Sequence, residues 1–179
     1  MLKRSTSNSM PLAPIDMSGD SYHPDINKVA FTGSTATGSK VMASASASLK
    51  RVTLELGGND TGIVLDDCDP AVVSEKLFAA AFGNNGQICI ALKRLYVHES
   101  QYDAVCHYLA ELANGAVVGS GLVAGTQLGP VQNRMQYDKL KKLIERTRSE
   151  GTIIAGGDSP DLPGYFINPT IVRDIADDA

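Results

Sequence analysis

The residue with the clearest chemical potential in this 179-residue sequence is Cys89, set in the string GNNGQICIALKRLYV. Gly83-Asn84-Asn85-Gly86 stops a helical pattern, so the cysteine falls in a loop spanning residues 87–92. A glycine-punctuated turn can hold a thiol at a pocket wall, where backbone N–H groups receive a developing oxyanion. The competing reading is a small core residue, because buried cysteines are common. The other two cysteines take that reading. Cys106 lies on an apolar helical face, and Cys68 precedes an Asp69 cap, where it can pack against Val73 as a hydrophobic staple. An odd cysteine count without CxxC spacing argues against a disulfide framework or a structural zinc site, and no metal ligands are assigned.

Two further features carry chemistry. Glu55 is a carboxylate at the end of an otherwise apolar strand, against Gly57-Gly58. That is where α/β proteins place active-site groups, and a carboxylate there can act as a general base. On pattern alone, an exposed residue at a sheet edge is the simpler reading. The string from Gly33 to Lys40, GSTATGSK, combines a strand end, a Gly-rich turn and a helix start. Free N–H groups at a helix start bind anions. A P-loop reading fails, since that motif needs GKS or GKT and Lys40 is displaced; a dinucleotide phosphate is the more natural guest. His23, His98 and His107 show no spacing that promotes a Cys–His hydrolase.

The elements that must position these groups follow from periodicity and caps. Residues 27–32 read as a short buried strand and Thr35–Ser46 as a small-faced helix. Residues 51–56 alternate, with Val52, Leu54 and Leu56 on one face and Thr53 and Glu55 on the other. Residues 62–65 form another strand, then Asp69 caps a helix with Pro70 first, ending about Phe82. A strand at 94–98 follows, then a helix capped by Ser100 whose apolar face runs Tyr102, Val105, Cys106, Leu109 and Ala113. After a Gly/Val-rich link, a helix near Arg134–Glu150 places Tyr137, Leu140, Ile144 and Thr147 on one face, with Gly151 as C-cap. Thr152–Ala155 and residues 165–172 read as closing strands. This alternation predicts an α/β layered fold with a mostly parallel sheet.

Composition narrows the function classes. Sixteen basic and twenty acidic residues give a net charge of −4 with no basic block, which disfavours a nucleic-acid binder. The longest apolar runs fall far short of a bilayer span, so no membrane role is expected. Residues 1–22, rich in Ser, Pro and Met, read as a loosely ordered leader without a signal-peptide core. Reduced thiols suit a cytoplasmic location.

Taken together, HPDINKVAFTGSTATG at 23–38, VTLELGGND at 52–60 and GQICIALKRLYV at 86–97 resemble the NAD(P)-dependent aldehyde dehydrogenase superfamily. LGPVQNRMQYDKL at 128–140 and GYFINPTIV at 164–172 fit in the same order. The resemblance implies a three-layer αβα architecture, here incomplete. Residues 23–57 would be the C-terminal remnant of the cofactor-binding domain, and 58–179 the N-terminal part of the catalytic domain.

By resemblance, Cys89 matches the nucleophile that attacks an aldehyde, its N–H supplying half of an oxyanion hole. Glu55 matches the base that activates water against the resulting thioester. Gly33, Ser34 and Gly38 match the turn and helix start near the cofactor pyrophosphate. Leu56 matches the residue beside the nicotinamide, and Gln136 and Lys139 match positions that reach the ribose. The implied cofactor is NAD or NADP, the substrate a small aldehyde and the product a carboxylic acid. Asn59 stands where many members have Lys. Family segments upstream of residue 23 and beyond residue 179, including an oxyanion-hole Asn and a ribose-gripping Glu, have no counterpart here. The expectation is therefore a chain of weak or no turnover alone, forming a homo-oligomer or associating with a full-length relative. The alternatives are a non-catalytic remnant and a residual thiol esterase.

Overall fold

The computed structural model describes residues 23–176, and the expected leader at 1–22 lies outside them. The chain divides at Gly57/Gly58 into two compact units. The first is a βαβ unit: β1 (Lys28–Thr32), α1 (Thr35–Ser46) and β2 (Arg51–Glu55). β1 and β2 pair in parallel from Lys28↔Arg51 to Thr32↔Glu55, the pairing that a helical crossover permits. Ser34, in extended conformation, caps α1 by accepting from the Thr37 N–H at 3.2 Å. The helix buries Gly38, Val41 and Ala45, at the three- and four-residue spacing of one face. Leu49 takes a left-handed φ of 54° that turns the chain out of the helix. The Lys50 ammonium then donates to the His23 and Ile26 carbonyls, each at 2.6 Å, holding the approach to β1.

The second unit runs β3 (Asp60–Val64), α2 (Pro70–Phe82), a 3₁₀ turn (Gly83–Gly86), β4 (Leu92–Val97), α3 (Glu99–Gly115), α4 (Arg134–Glu150), β5 (Thr152–Ala155) and β6 (Ile171–Arg173). β3 and β4 are parallel, with a register irregularity between Asp60 and Thr61; β5 and β6 are antiparallel. Val64, Leu77, Val105 and Leu109 form the core, with Val73, Leu92, Leu95, Val97 and Cys68 packed against it. Burying a side chain such as Leu109 stabilises by roughly 1.5–3 kcal/mol. The strand expected to be buried at 62–65 is exposed on one face: Ile63 in β3 and Leu65 just after it stand out to solvent, so the core lies on one side of this sheet. Arg173 fixes the end of β6 to α3. Its guanidinium donates to Asp103 at 2.8 Å and Asp174 at 2.9 Å and lies 4.9 Å from the centre of the Tyr102 ring.

Three expectations need correction. The cap of α3 is His98 rather than Ser100: the imidazole Nδ1 accepts from the Ser100 N–H, and the helix starts at Glu99. Of the expected strand 165–172 only Ile171 and Val172 pair, in a β6 that runs on to Arg173. Pro169 has no N–H to offer a ladder, and the Asn168 N–H is taken by the Asp158 carbonyl at 3.0 Å. Gly151 is the C-cap of α4, as expected, in extended conformation (φ −160°) with its N–H on the Thr147 carbonyl. A Cβ there would meet Val172 Cγ1 at 2.9 Å, so the glycine admits β6 rather than reversing the helix end. β4 also begins earlier than expected, at Leu92, because the Cys89 turn closes sooner.

Candidate active site

Cys89 is exposed and sits between the 3₁₀ turn and β4. Asn84 (φ 50°), Asn85 (φ 60°) and Gly86 (φ 69°) are left-handed in succession. Left-handed backbone costs about 1–2 kcal/mol for an ordinary residue, and Asn and Gly tolerate it best. Such a run persists only where its surroundings fix it. Here polar groups do so. The Asn85 side chain donates to the Gly129 carbonyl at 2.6 Å. The Gln87 amide donates to the Asn84 and Pro130 carbonyls at 3.3 and 3.2 Å and accepts from the Gln132 N–H at 2.8 Å. From the far side, Lys93 Nζ holds the Gly86 carbonyl at 2.7 Å. Desolvation pushes the Lys93 ammonium below its ordinary range, and Asp60 partly opposes that shift.

The turn carrying Cys89 closes through the Ala91 N–H, which donates to the Ile88 carbonyl at 3.1 Å and leaves Ala91 buried. Gly58 lies directly against this turn: a Cβ on it would collide with the Cys89 carbonyl oxygen. The neighbouring Asn59 carbonyl accepts from Arg94 Nε and Nη2 at 3.2 and 3.1 Å, which secures that backbone. Gly58, Asn85, Gln87, Lys93 and Arg94 were not singled out from the sequence. Of these, only Asn85 carries a sequence signal, as part of an Asn-Asn-Gly run suited to left-handed backbone. The remaining cysteines are structural. Cys68 Sγ donates to the Leu65 carbonyl at 3.2 Å and packs on the core. Burial raises the Cys106 thiol pKa, with the Arg173 charge opposing.

In the first unit, Glu55 ends β2 with its side chain exposed, and its carbonyl accepts from the Gly33 N–H at 3.0 Å. The carboxylate-bearing residue thereby adjoins the β1–α1 turn. Leu56 packs its side chain into the space that a Cβ on Gly38 would need, locking the chain after Glu55 onto α1. Ser34 Oγ is engaged with both Thr37 N and Thr37 Oγ1, and the Gly38 N–H donates to the Ser34 carbonyl. The N–H groups of Thr35 and Ala36 are those that an anion at this helix start would meet, and no acidic residue occupies the first turn. Gly33, Ser34, Gly38, Glu55 and Leu56 thus gather in one unit. Cys89, Gln136 and Lys139 belong to the other. Gln136 and Lys139 are exposed on α4, whose cap Asn133 accepts from the Gln136 N–H at 2.9 Å. The described residues contain no group of three or more His, Cys, Asp or Glu able to hold a metal, and no helix long and apolar enough to cross a membrane.

Residues 21–179 match the model of the aldehyde dehydrogenase family. A chloroplastic betaine aldehyde dehydrogenase of Beta vulgaris is 48% identical over 157 residues, 86% of this chain and 31% of that protein. A probable aldehyde dehydrogenase of a Pseudomonas species is 45% identical, over 88% of this chain and 32% of its own length. The NAD+ complex of a Bacillus cereus aldehyde dehydrogenase superposes with a TM-score of 0.85 at 38% identity, covering 88% of this chain and 32% of that one. The chain therefore spans about a third of the length of the relatives it matches. With a family match over nearly its whole length, and that family's fold in both units, the chain belongs to the aldehyde dehydrogenase family.

Proposed function

We propose that this chain carries the nucleophile and the general base of an NAD(P)-dependent oxidation of an aldehyde to a carboxylic acid. The observation that carries the reading is an exposed cysteine on a strained, polar-clasped turn in a chain of this family. The Cys89 thiolate adds to the aldehyde carbonyl carbon, and the carbonyl oxygen takes up the charge against backbone N–H groups of the turn. The donors of the β1–α1 turn fit a dinucleotide phosphate, so Ser34 and the residues after Gly33 would hold the cofactor there, with Gly38 and Leu56 shaping that wall. Gln136 and Lys139 offer further polar contacts. When bound, the nicotinamide ring accepts the hydride that the adduct sheds. Cys89 is left carrying an acyl thioester, and Glu55 takes a proton from the water that hydrolyses it.

The Bacillus cereus neighbour, solved with NAD+, supports NAD, and the beet relative supports an aldehyde substrate. Three unpaired cysteines fit a reducing compartment such as the cytoplasm. Ile63 and Leu65, 73% and 61% exposed on a parallel sheet, support association with a further polypeptide, either another copy or a longer relative.

The test is NADH formation by the chain with NAD and a panel of aldehydes, alongside mass mapping of acylated cysteines. Acyl groups should appear on the Cys89 peptide, vanish in Cys89→Ala and accumulate in Glu55→Gln. Acylation that persists in Cys89→Ala, or sits on Cys68 or Cys106, would sink the assignment.

A further inference from the structure

We propose that Gln87 is a positioning residue for the nucleophile, acting as a side-chain staple between the Cys89 turn and residues 130–132. The inference rests on the reading of Cys89 as the nucleophile. One primary amide spans three backbone groups. Its NH2 faces the carbonyls of Asn84, at the start of the left-handed run, and of Pro130; its oxygen takes the Gln132 N–H. This satisfies a carbonyl and an N–H two residues apart, as a neighbouring strand would. The segment it grips is itself fixed, because Val131 is buried and its N–H donates to the Tyr165 carbonyl at 2.8 Å. Asn85 repeats the contact one step away, on Gly129.

The staple sits two residues before the thiol. Its bonds are the side-chain contacts that tie Gln87 to residues distant in sequence. Gln87 is exposed, so it contributes little to the core, and removing it leaves the fold standing. What changes is the freedom of residues 87–91, and with it the aim of the Cys89 sulfur and the N–H groups that must receive an oxyanion. Reactions that need that aim should suffer, and reactions that need only an accessible thiol should not.

The experiment compares two reactions at Cys89, each followed by mass mapping of its peptide in the purified full chain. In acylation by p-nitrophenyl acetate, the sulfur attacks the ester carbonyl, the C–O bond breaks, and p-nitrophenolate leaves. This step passes through an oxyanion and needs no cofactor. Alkylation by iodoacetamide displaces iodide at a saturated carbon and forms no oxyanion. Gln87→Leu should slow acylation about tenfold or more, the loss expected for a mis-set oxyanion donor, with alkylation changed less than about twofold. Gln87→Glu keeps the shape and the acceptor but turns a carboxylate toward two carbonyl oxygens, and should be equally slow. A Gln87→Glu chain acylated at the wild-type rate would overturn the proposal. So would equal losses in both reactions, or new reactivity at Cys68 and Cys106, since either reports general loosening. A wild-type chain that is alkylated but never acylated at Cys89 removes the nucleophile reading itself, and the staple's role with it.

Discussion

Gly58→Ala tests whether the Cys89 turn is held by close packing of backbone on backbone. Gly58 has no positive φ to protect, so its requirement is space alone. The added Cβ would overlap the Cys89 carbonyl oxygen and the Asp60 carboxylate. The carboxylate can rotate away, but the carbonyl belongs to a turn closed by the Ala91–Ile88 bond. To reach an ordinary contact of 3.4 Å the carbonyl must retreat by about 1 Å, and a displacement of that size near reacting atoms costs about 10²-fold in rate. Overpacking should also lower stability by about 1–3 kcal/mol. The assay is the rate of Cys89 acylation by p-nitrophenyl acetate at a temperature where urea titration shows both chains folded. Gly57→Ala is the control, because a Cβ there meets nothing within 4 Å. A Gly58→Ala chain acylated within about twofold of wild type would refute the packing argument, and so would equal loss in both variants.

Asp69→Ala removes the side chain that accepts from the Ala71 and Val72 N–H groups and should destabilise the second unit by about 0.5–2 kcal/mol, read as a lower urea midpoint. Ser74→Ala should act in the opposite direction. Its hydroxyl is fully buried with no partner among the described residues, and deleting it removes a desolvation penalty of about 1–3 kcal/mol, less the methylene-scale packing it supplies; a lower melting temperature would contradict this. Leu109→Ala, in the core, should cost about 2–5 kcal/mol by urea unfolding. Burial raises the Cys106 pKa from its ordinary 9.0. The folded chain therefore keeps this proton after the unfolded chain has lost it, and stability falls as pH rises above about 9. Cys106→Ala should flatten that alkaline decline in urea midpoint, and an unchanged slope would exclude the thiol as its source.

Much of the fold was legible because its signals are local. Asp69 with Pro70 marks the start of α2, and the cap accepts from N–H groups two and three positions on. β2 follows from its clean apolar alternation. The errors arose where one rule met a competing contact. His98 displaced Ser100 as cap because its ring nitrogen accepts from the Ser100 N–H itself, and residues 165–170 forfeited strand pairing to Asp158 and to the missing N–H of Pro169. The residues proposed for the chemistry differ in the same way from those that hold them. Cys89 and Glu55 are candidates by side-chain type, at a glycine-rich turn and at a strand end, and the family resemblance promotes them. The groups that hold Cys89 are not marked by type, because what they grip is backbone: Gln87 binds Pro130 and Gln132, 43 and 45 residues away, and Arg94 binds the Asn59 carbonyl. A backbone carbonyl has no residue type, so no spacing rule can point to it. The chemistry proposed for this turn therefore rests on one cysteine, while the contacts that hold it are ones only the folded chain creates. Substitutions on the gripping side, at Gln87, Asn85 or Gly58, should change the rate at Cys89. Substitutions at Pro130 or Gln132 should be milder wherever the replacement keeps the same backbone path, since the staple binds their peptide groups rather than their side chains.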